Sequence, residues 1–416
     1  VSLWDGAEIT VLGAGVAGLA VATALAQRGA AVTVLERAEE IREVGAGLQI
    51  SPNGGRVLAA LGVYDQIAAE APASRAVVLR NHFDGAERLR MRLPDPGPGP
   101  ATLMVHRADL IEALAGAARA AGVQIRLLQA VDSVEIEDDG QPVIRLLTGG
   151  LLRPDLLIGA DGLHSPTRRA VLAGAGAGRP FFTGQVAWRT LVPGRSDDPP
   201  EASVYMGPGR HLVSYPLRGG RLRNIVAVEE RTGWTEEGWH HADDPARLQR
   251  AFSNFAPEVR GWLGEAREVY LWGLFRHPVP VTWHRGRAVL IGDAVHPTLP
   301  FLAQGANMAL EDAWVLVDCL AAADETGAAF AAYQAAREVR VRKLVTGATA
   351  NARAYHLRPG PVRTLAHAGL SALNRLAPDA VRRRFDWIYD YDPTAGAWQA
   401  VAEARTQAAS STHTGT

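Results

Sequence analysis

The run Gly13-Ala14-Gly15-Val16-Ala17-Gly18 has the residue types and spacing that hold a dinucleotide pyrophosphate. Gly13 permits a tight turn, Gly15 lets a pyrophosphate approach the backbone, and Gly18 lets the following helix pack close to a sheet. The phosphates would sit at a helix N-terminus, where free N–H groups and the helix dipole favour negative charge. Glu36 closes the next strand, where a carboxylate can bind ribose hydroxyls. Two further turns carry acids. One is Gly159-Ala160-Asp161-Gly162, with Ser165 and Arg168 just beyond. The other is Gly292-Asp293, which leads through Pro300 and Gln304 to a helix starting near Gly305 and Asn307. That helix start offers N–H groups to a second anionic group. His211 is a candidate general base, since an unperturbed imidazole titrates at about 6.5. Tyr215 follows it in the same expected strand and on the same face. His296, held extended by Pro297, reads as structural, as do Glu311 and Asp312 in the early turns of the helix.

These side chains need elements to position them. Glu8 to Leu12 reads as a strand, Gly15 to Arg28 as a helix ended by Gly29, and Ala31 to Glu36 as a second buried strand. The uncharged stretch Ile9 to Ala26 is therefore a buried strand and helix rather than a membrane span or export signal. Strands are expected between Arg75 and Met91, a loop at Pro94 to Pro100, and a helix from Arg107 to Ala121. Strands follow at Val123 to Leu128, Val131 to Glu137, Val143 to Thr148 and Asp155 to Gly159. From about Phe181 to Trp272, β-rich segments separated by Gly and Pro predict an antiparallel layer that contains His211. A buried strand at Arg287 to Ile291 precedes helices at Gly305 to Ala323, Ala328 to about Tyr355 and near Asp379 to Tyr389.

The fold class expected is α/β: a Rossmann-like nucleotide-binding domain, an inserted mostly antiparallel β domain and a helical C-terminal region. The nucleotide domain is assigned residues 1–75, 101–180 and 273–325. The β domain takes 76–100 and 181–272, the C-terminal helices 326–402, and a disordered tail 403–416. Only one glycine fingerprint follows a strand; Gly174, Gly176 and Gly178 are expected in a loop and lack the final glycine. A second dinucleotide would have to bind in some other way.

Composition removes several chemistries. The 416 residues contain one cysteine, Cys319, so no internal disulfide, paired-cysteine redox centre or cysteine zinc cluster can form within the chain. Lys343 is the sole lysine, and no lysine-bearing phosphate loop is present. A formal net charge of −1 argues against nucleic acid as a partner. The basic stretch from Arg337 to Arg384 has a single aromatic, Tyr355, rather than aromatics interleaved with its charges, and reads as a solvated helix face or a homodimer surface. With no membrane segment expected, the default location is the cytoplasm.

The three ordered motifs resemble those of the single-component FAD-dependent aromatic hydroxylases. Their GxGxxG, DG and GD signatures match Gly13 to Gly18, Asp161-Gly162 and Gly292-Asp293. Within that family the chain is most similar to salicylate hydroxylase and 3-hydroxybenzoate 6-hydroxylase. Further matches are Gly45 to Asn53, Arg107 within His106 to Leu110, Gly207 to Leu212, and the run from Gly292 to Ala313. The resemblance covers roughly residues 8 to 390.

It implies FAD as cofactor, NADH or NADPH as co-substrate, and hydroxylation of a small phenol or aryl carboxylate by O2 through a flavin hydroperoxide. Gly13, Gly15, Gly18, Glu36 and Arg107 would hold the ADP half of FAD, and Asp293 the pyrophosphate–ribityl region. Asp161 would serve FAD and nicotinamide docking, and Pro300 to Asn307 would line the flavin. His211 would be the catalytic base, Gln304 a partner for the substrate hydroxyl, and Tyr215 a pocket wall. Two rivals remain: a hydroxylase or epoxidase of a larger polyketide-like ring, and a flavin-binding protein without catalysis.

Overall fold

The computed structural model describes residues 3–41, 46–93, 97–173, 179–195, 197–233 and 241–396. The expected glycine loop at 174–178, part of the Pro94 to Pro100 loop and the expected tail lie outside the described residues.

The chain opens as its apolar pattern demands. Glu8–Leu12 is buried at all but its first residue, and it becomes an inner strand of a six-stranded sheet. The order is His284–Arg285, Ala288–Leu290, Leu156–Gly159, Glu8–Leu12, Ala31–Leu35, Gln124–Arg126. All pairings are parallel except the edge pair of His284–Arg285 with Ala288–Leu290. Strands buried on both faces read as continuous Val, Ile and Leu runs, which is why they were visible in the sequence. The helix Val16–Ala26 is buried from Val16 to Leu25 because it lies between this sheet and the helices Arg107–Ala120 and Gly305–Ala322. That position explains its lack of charge.

The second layer is an eight-stranded sheet. Its strands run His241–Asp243, Val269–Arg276, Phe181–Pro193, Leu222–Glu230, Arg210–Leu217, Glu201–Gly207, Ala76–Asn81, Glu87–Arg92. Only the pair Glu201–Gly207 with Ala76–Asn81 is parallel. One sheet face packs Trp188, Val186 and Leu212 with Phe252, Phe255, Val259 and Leu263 from the segment holding helices Pro245–Ala251 and Pro257–Glu265. The other faces the nucleotide-binding half. Thr326–Tyr355 joins the two. Tyr333 reaches Leu290 of the first sheet, while Ala348 and Ala352 pack with Ala187, Val228 and Trp272 of the second.

Four points differ from expectation. The helix Pro361–Leu376 was not anticipated, and the expected helix after it is divided into Pro378–Arg383 and Asp386–Tyr389. The β layer also carries two short helices. Part of the basic stretch is not a solvated face: Arg337 is fully buried against Glu311 and Asp312, and Arg340 pairs with Glu311 at 2.8 Å. Among the described residues no helix is long and apolar enough to cross a membrane.

Candidate active site

A cavity of about 350 Å³ lies between the two sheets. The glycine loop forms one end. Gly13 sits at φ +99°, and a Cβ there would come 2.6 Å from the Ala160 carbonyl oxygen. A Cβ on Gly18 would come 1.9 Å from the Gly13 carbonyl oxygen. Both glycines are thus required by packing inside the protein. Gly15 differs, because a Cβ there would meet nothing within 4 Å. Its open side borders the cavity, and no side chain caps the helix it begins. This is the geometry that lets a phosphate reach free helix N–H groups. Glu36 braces the loop, accepting hydrogen bonds from Ala14 N at 2.8 Å and Ala38 N at 2.9 Å.

Asp161 is placed beneath the wall rather than in it. Its carboxylate accepts from Ser165 Oγ at 2.5 Å, Thr167 N at 3.0 Å and Thr167 Oγ1 at 2.7 Å, while Gly162 and Ala160 line the cavity. Burial raises its carboxyl group, and the Ser165 and Thr167 hydrogen bonds oppose that shift. Arg168, in the helix Pro166–Leu172 that Ser165 caps, ties that helix to the Gly292-Asp293 turn by donating to the Ala294 and Val295 carbonyls at 2.8 and 3.0 Å. Burial pulls its guanidinium down to about 10. Asp293 is exposed in the cavity wall and accepts no hydrogen bond from a described residue, and Arg107 lines the same cavity.

The loop after Asp293 forms the floor. Pro300, Phe301, Ala303, Gly305 and Ala306 line the cavity, and Ala303 adopts a left-handed φ of +52°. The helix Gly305–Ala322 starts here without a side-chain cap, a second helix N-terminus open to the same space. Asn307 is fully buried beneath it. It accepts from Ser51 N at 3.0 Å and donates to the Gln49 and Ala303 carbonyls at 3.0 and 2.9 Å. Gln304 is likewise below the floor, accepting from Asn53 Nδ2 at 3.1 Å and donating to Ser51 Oγ at 2.9 Å. The expected contact between Gln304 and a substrate hydroxyl is not what this geometry provides. Its amide is already satisfied at both ends, and Gln304 does not line the cavity.

The second sheet supplies the roof. His211, Val213 and Tyr215 alternate inward from one strand, with Val226 and Val228 from the next and Trp272 and Arg189 beyond. His211 is fully buried, and burial together with the neighbouring His356 holds its imidazole well below the usual range. Burial raises the Tyr215 hydroxyl. Gly47 seals the junction of the two halves: a Cβ there would lie 2.6 Å from Tyr215 Cε2, and its N–H donates to Asn224 Oδ1 at 2.7 Å. Trp188 faces the opposite side of the sheet and donates to Asp243 at 2.8 Å, so it belongs to the core.

The structure brings Gly15, Arg107, Asp293, Pro300, Gly305, His211 and Tyr215 to one cavity, with Gly13, Gly18, Glu36, Asp161, Gln304 and Asn307 supporting its walls. Sequence reasoning missed Arg189, although strand alternation carried the signal: with Trp188 in the core, its neighbour must face the cavity. It also missed His356, whose contact with His211 spans 145 positions.

The model of the FAD binding domain family matches residues 6–348. A 3-amino-4-hydroxybenzoate 2-monooxygenase from Streptomyces cremeus is 40% identical over 368 residues, covering 85% of this chain and 89% of that protein. A 3-hydroxybenzoate 6-hydroxylase from Polaromonas naphthalenivorans is 33% identical, covering 84% and 88%. Among solved structures, a salicylate hydroxylase substrate complex shares the fold with a TM-score of 0.79 at 24% identity, covering 95% of this chain and 98% of that one.

Proposed function

The chain belongs to the FAD binding domain family, and from that premise we propose that it is a monooxygenase that hydroxylates a small phenolic or aryl carboxylate ring. The observation that carries this reading is His211. It is an imidazole fully buried in the wall of a cavity that two uncapped helix N-termini also open onto.

The residues present fit FAD. Gly15 leaves room that Gly13 and Gly18 do not, and the uncapped N–H groups beyond it suit a pyrophosphate. Gly13, Gly15, Gly18, Glu36 and Arg107 would hold the ADP half, and Asp293 the pyrophosphate–ribityl region. The floor from Pro300 to Asn307 would lie under the flavin, with Asp161 holding the adjoining turn. Bound there, FAD would supply the oxygen-transfer chemistry, with NADH or NADPH as reductant and O2 as oxidant.

The protein's own tasks are to bind, orient and deprotonate the ring. Val213, Val226, Val228 and Trp272 give it an apolar seat that excludes water. Arg189 at the sheet end suits a ring carboxylate. His211 Nε2 takes the proton of a ring hydroxyl, which makes the ring more electron-rich. Tyr215 walls the seat, while Gln304 and Asn307 hold the floor in place. The helix dipole at Gly305 favours negative charge beside it. The reading places the enzyme in the cytoplasm, with a small aromatic substrate and O2 as its partners.

The test is NAD(P)H oxidation by the FAD-loaded enzyme against 3-amino-4-hydroxybenzoate, 3-hydroxybenzoate and salicylate. At least one should stimulate oxidation and yield a hydroxylated product. His211→Ala should retain FAD, slow product formation and raise peroxide release. No stimulation by any of the three would overturn the small-ring reading, and unchanged coupling in the variant would remove His211 from catalysis.

A further inference from the structure

Behind His211 a chain of polar groups leads out of the cavity. His211 Nδ1 lies 2.6 Å from His356 Nε2, and His356 Nδ1 lies 3.0 Å from Glu230 Oε1. His356 is at the end of the helix Thr326–Tyr355, with its side chain 1% exposed, whereas that of Glu230 is 41% exposed. Glu230 borders a second, wider cleft of about 770 Å³, together with Arg210, Arg231 and Arg353. The remaining nitrogen of His211, Nε2, is buried and has no hydrogen-bond partner.

One assignment of protons satisfies every contact. An ionised carboxylate only accepts, so His356 must donate from Nδ1. Its Nε2 then accepts, so His211 also donates from Nδ1. His211 Nε2 is left as the lone pair of a ring that lines the cavity. We propose that His211, His356 and Glu230 form a proton relay that carries a hydroxyl proton of the bound ring from the closed cavity to solvent. The proposal rests on the monooxygenase reading above.

The transfer balances without a co-reactant. The ring O–H bond breaks as N–H forms at His211 Nε2. The His211 Nδ1 proton moves to His356 Nε2, the His356 Nδ1 proton moves to Glu230, and water in the outer cleft takes it from there. The return of a proton along the same path, when the product hydroxyl is reprotonated, resets both rings. A relay suits this site better than a solitary base, because burial disfavours an imidazolium at either histidine. Accepting at one nitrogen while releasing from the other keeps each ring neutral between transfers. Around His356, Glu230 favours the charged form and Arg210 opposes it; the His211 ring packs against His356, and Tyr355 packs against His211.

The experiment uses the FAD-loaded enzyme mixed anaerobically with 4-hydroxy-3-nitrobenzoate, whose phenolate absorbs visible light. His356→Gln should slow phenolate appearance by about tenfold or more and Glu230→Gln by a few-fold, with probe affinity and FAD content held within about twofold. Glu230→Gln changes an exposed side chain, so it keeps the test sound if the His356 variant folds poorly. In 15N-histidine-labelled enzyme, His211 should carry its proton on Nδ1. Wild-type rates in both variants, or a proton on His211 Nε2, would overturn the relay. A slow His211→Ala enzyme beside normal His356 and Glu230 variants rejects the relay alone. A normal His211→Ala enzyme rejects His211 as the base and the relay with it.

Discussion

Arg337 donates from Nε to Asp312 Oδ1 at 2.8 Å, with both side chains at 0% exposure. The same guanidinium lies 2.6 Å from Glu311, and Asp312 in turn contacts His296 at 2.5 Å and accepts from Gly292 N at 3.0 Å. A single buried cation therefore connects the long C-terminal helix to the Gly292-Asp293 turn and to the helix beneath the cavity floor.

Removing that cation would leave two buried carboxylates short of a partner. Arg337→Met should cost about 3–5 kcal/mol in denaturant unfolding of the FAD-loaded enzyme, the range for breaking a buried pair on one side. Burial alone would raise the Asp312 carboxyl, but His296 and Arg337 override it and hold it down at about 2. A depressed carboxylate contributes stability that is present above its unfolded value and lost as pH falls through the folded one. Wild-type stability should thus decline between about pH 4 and about pH 2. A variant as stable as wild type would show that the cluster contributes no net stability.

The glycines of the first turn divide by function, and the division can be measured. Gly18→Ala drives a methyl into the Gly13 carbonyl and should destabilise the apoprotein by at least about 2 kcal/mol. Gly15→Ala meets no protein atom, so its folding cost should stay under about 1 kcal/mol. Its methyl enters open space, where the proposed pyrophosphate site lies. Thermal unfolding of apoprotein and flavin-fluorescence titration separate the two effects: Gly15→Ala should lose FAD affinity while Gly18→Ala loses stability. Normal FAD binding by Gly15→Ala would place the pyrophosphate elsewhere.

Much of the fold could be read in advance because its signals are local. The glycine turn, the flanking Val- and Leu-rich strands and the alternating β segments each declare themselves within a dozen or so residues. What could not be read is what depends on partners far away in the chain. Arg337 looks like part of a charged helix face until Glu311 and Asp312 are brought against it. His356 looks like a helix-terminal residue until Arg210–Leu217 lays His211 beside it. Gln304 sits in a loop that touches the cavity, and only Ser51 and Asn53, some 250 positions away, show that its amide is turned underneath. The helix Pro361–Leu376 is a different case: its apolar residues recur at helical spacing and were legible in the sequence, although it buries no residue fully.

Arg189 stands at the sheet end of the cavity with its guanidinium 4.0 Å from the Trp272 ring centroid. If it receives the ring carboxylate, Arg189→Met should raise KM for an aryl carboxylate by roughly tenfold to a hundredfold, as expected for a charge-assisted hydrogen bond of about 1.5–3 kcal/mol. The KM of the corresponding neutral phenol should move little. Steady-state kinetics on 3-hydroxybenzoate and phenol give the comparison. An equal rise for both would reduce Arg189 to a structural member of the sheet.

Gln304 provides the sharpest contrast between a residue that touches substrate and one that holds the floor. Its amide joins Ser51 and Asn53, and Asn53 also donates to Glu311 at 2.6 Å, so the loop is anchored to the buried ionic cluster. Gln304→Ala removes the donor to the Ser51 hydroxyl, which keeps Asn53 Oδ1 as its own acceptor at 2.6 Å, and leaves Asn53 Nδ2 with Glu311 alone. The lost hydrogen bonds should cost about 1–3 kcal/mol, expressed as a looser floor. FAD affinity and coupling of NAD(P)H oxidation to hydroxylation should both fall, while ring affinity, measured by quenching of flavin fluorescence, changes by less than about twofold. Loss of ring affinity with FAD binding intact would instead mean that the amide swings up to the substrate once the cavity is filled.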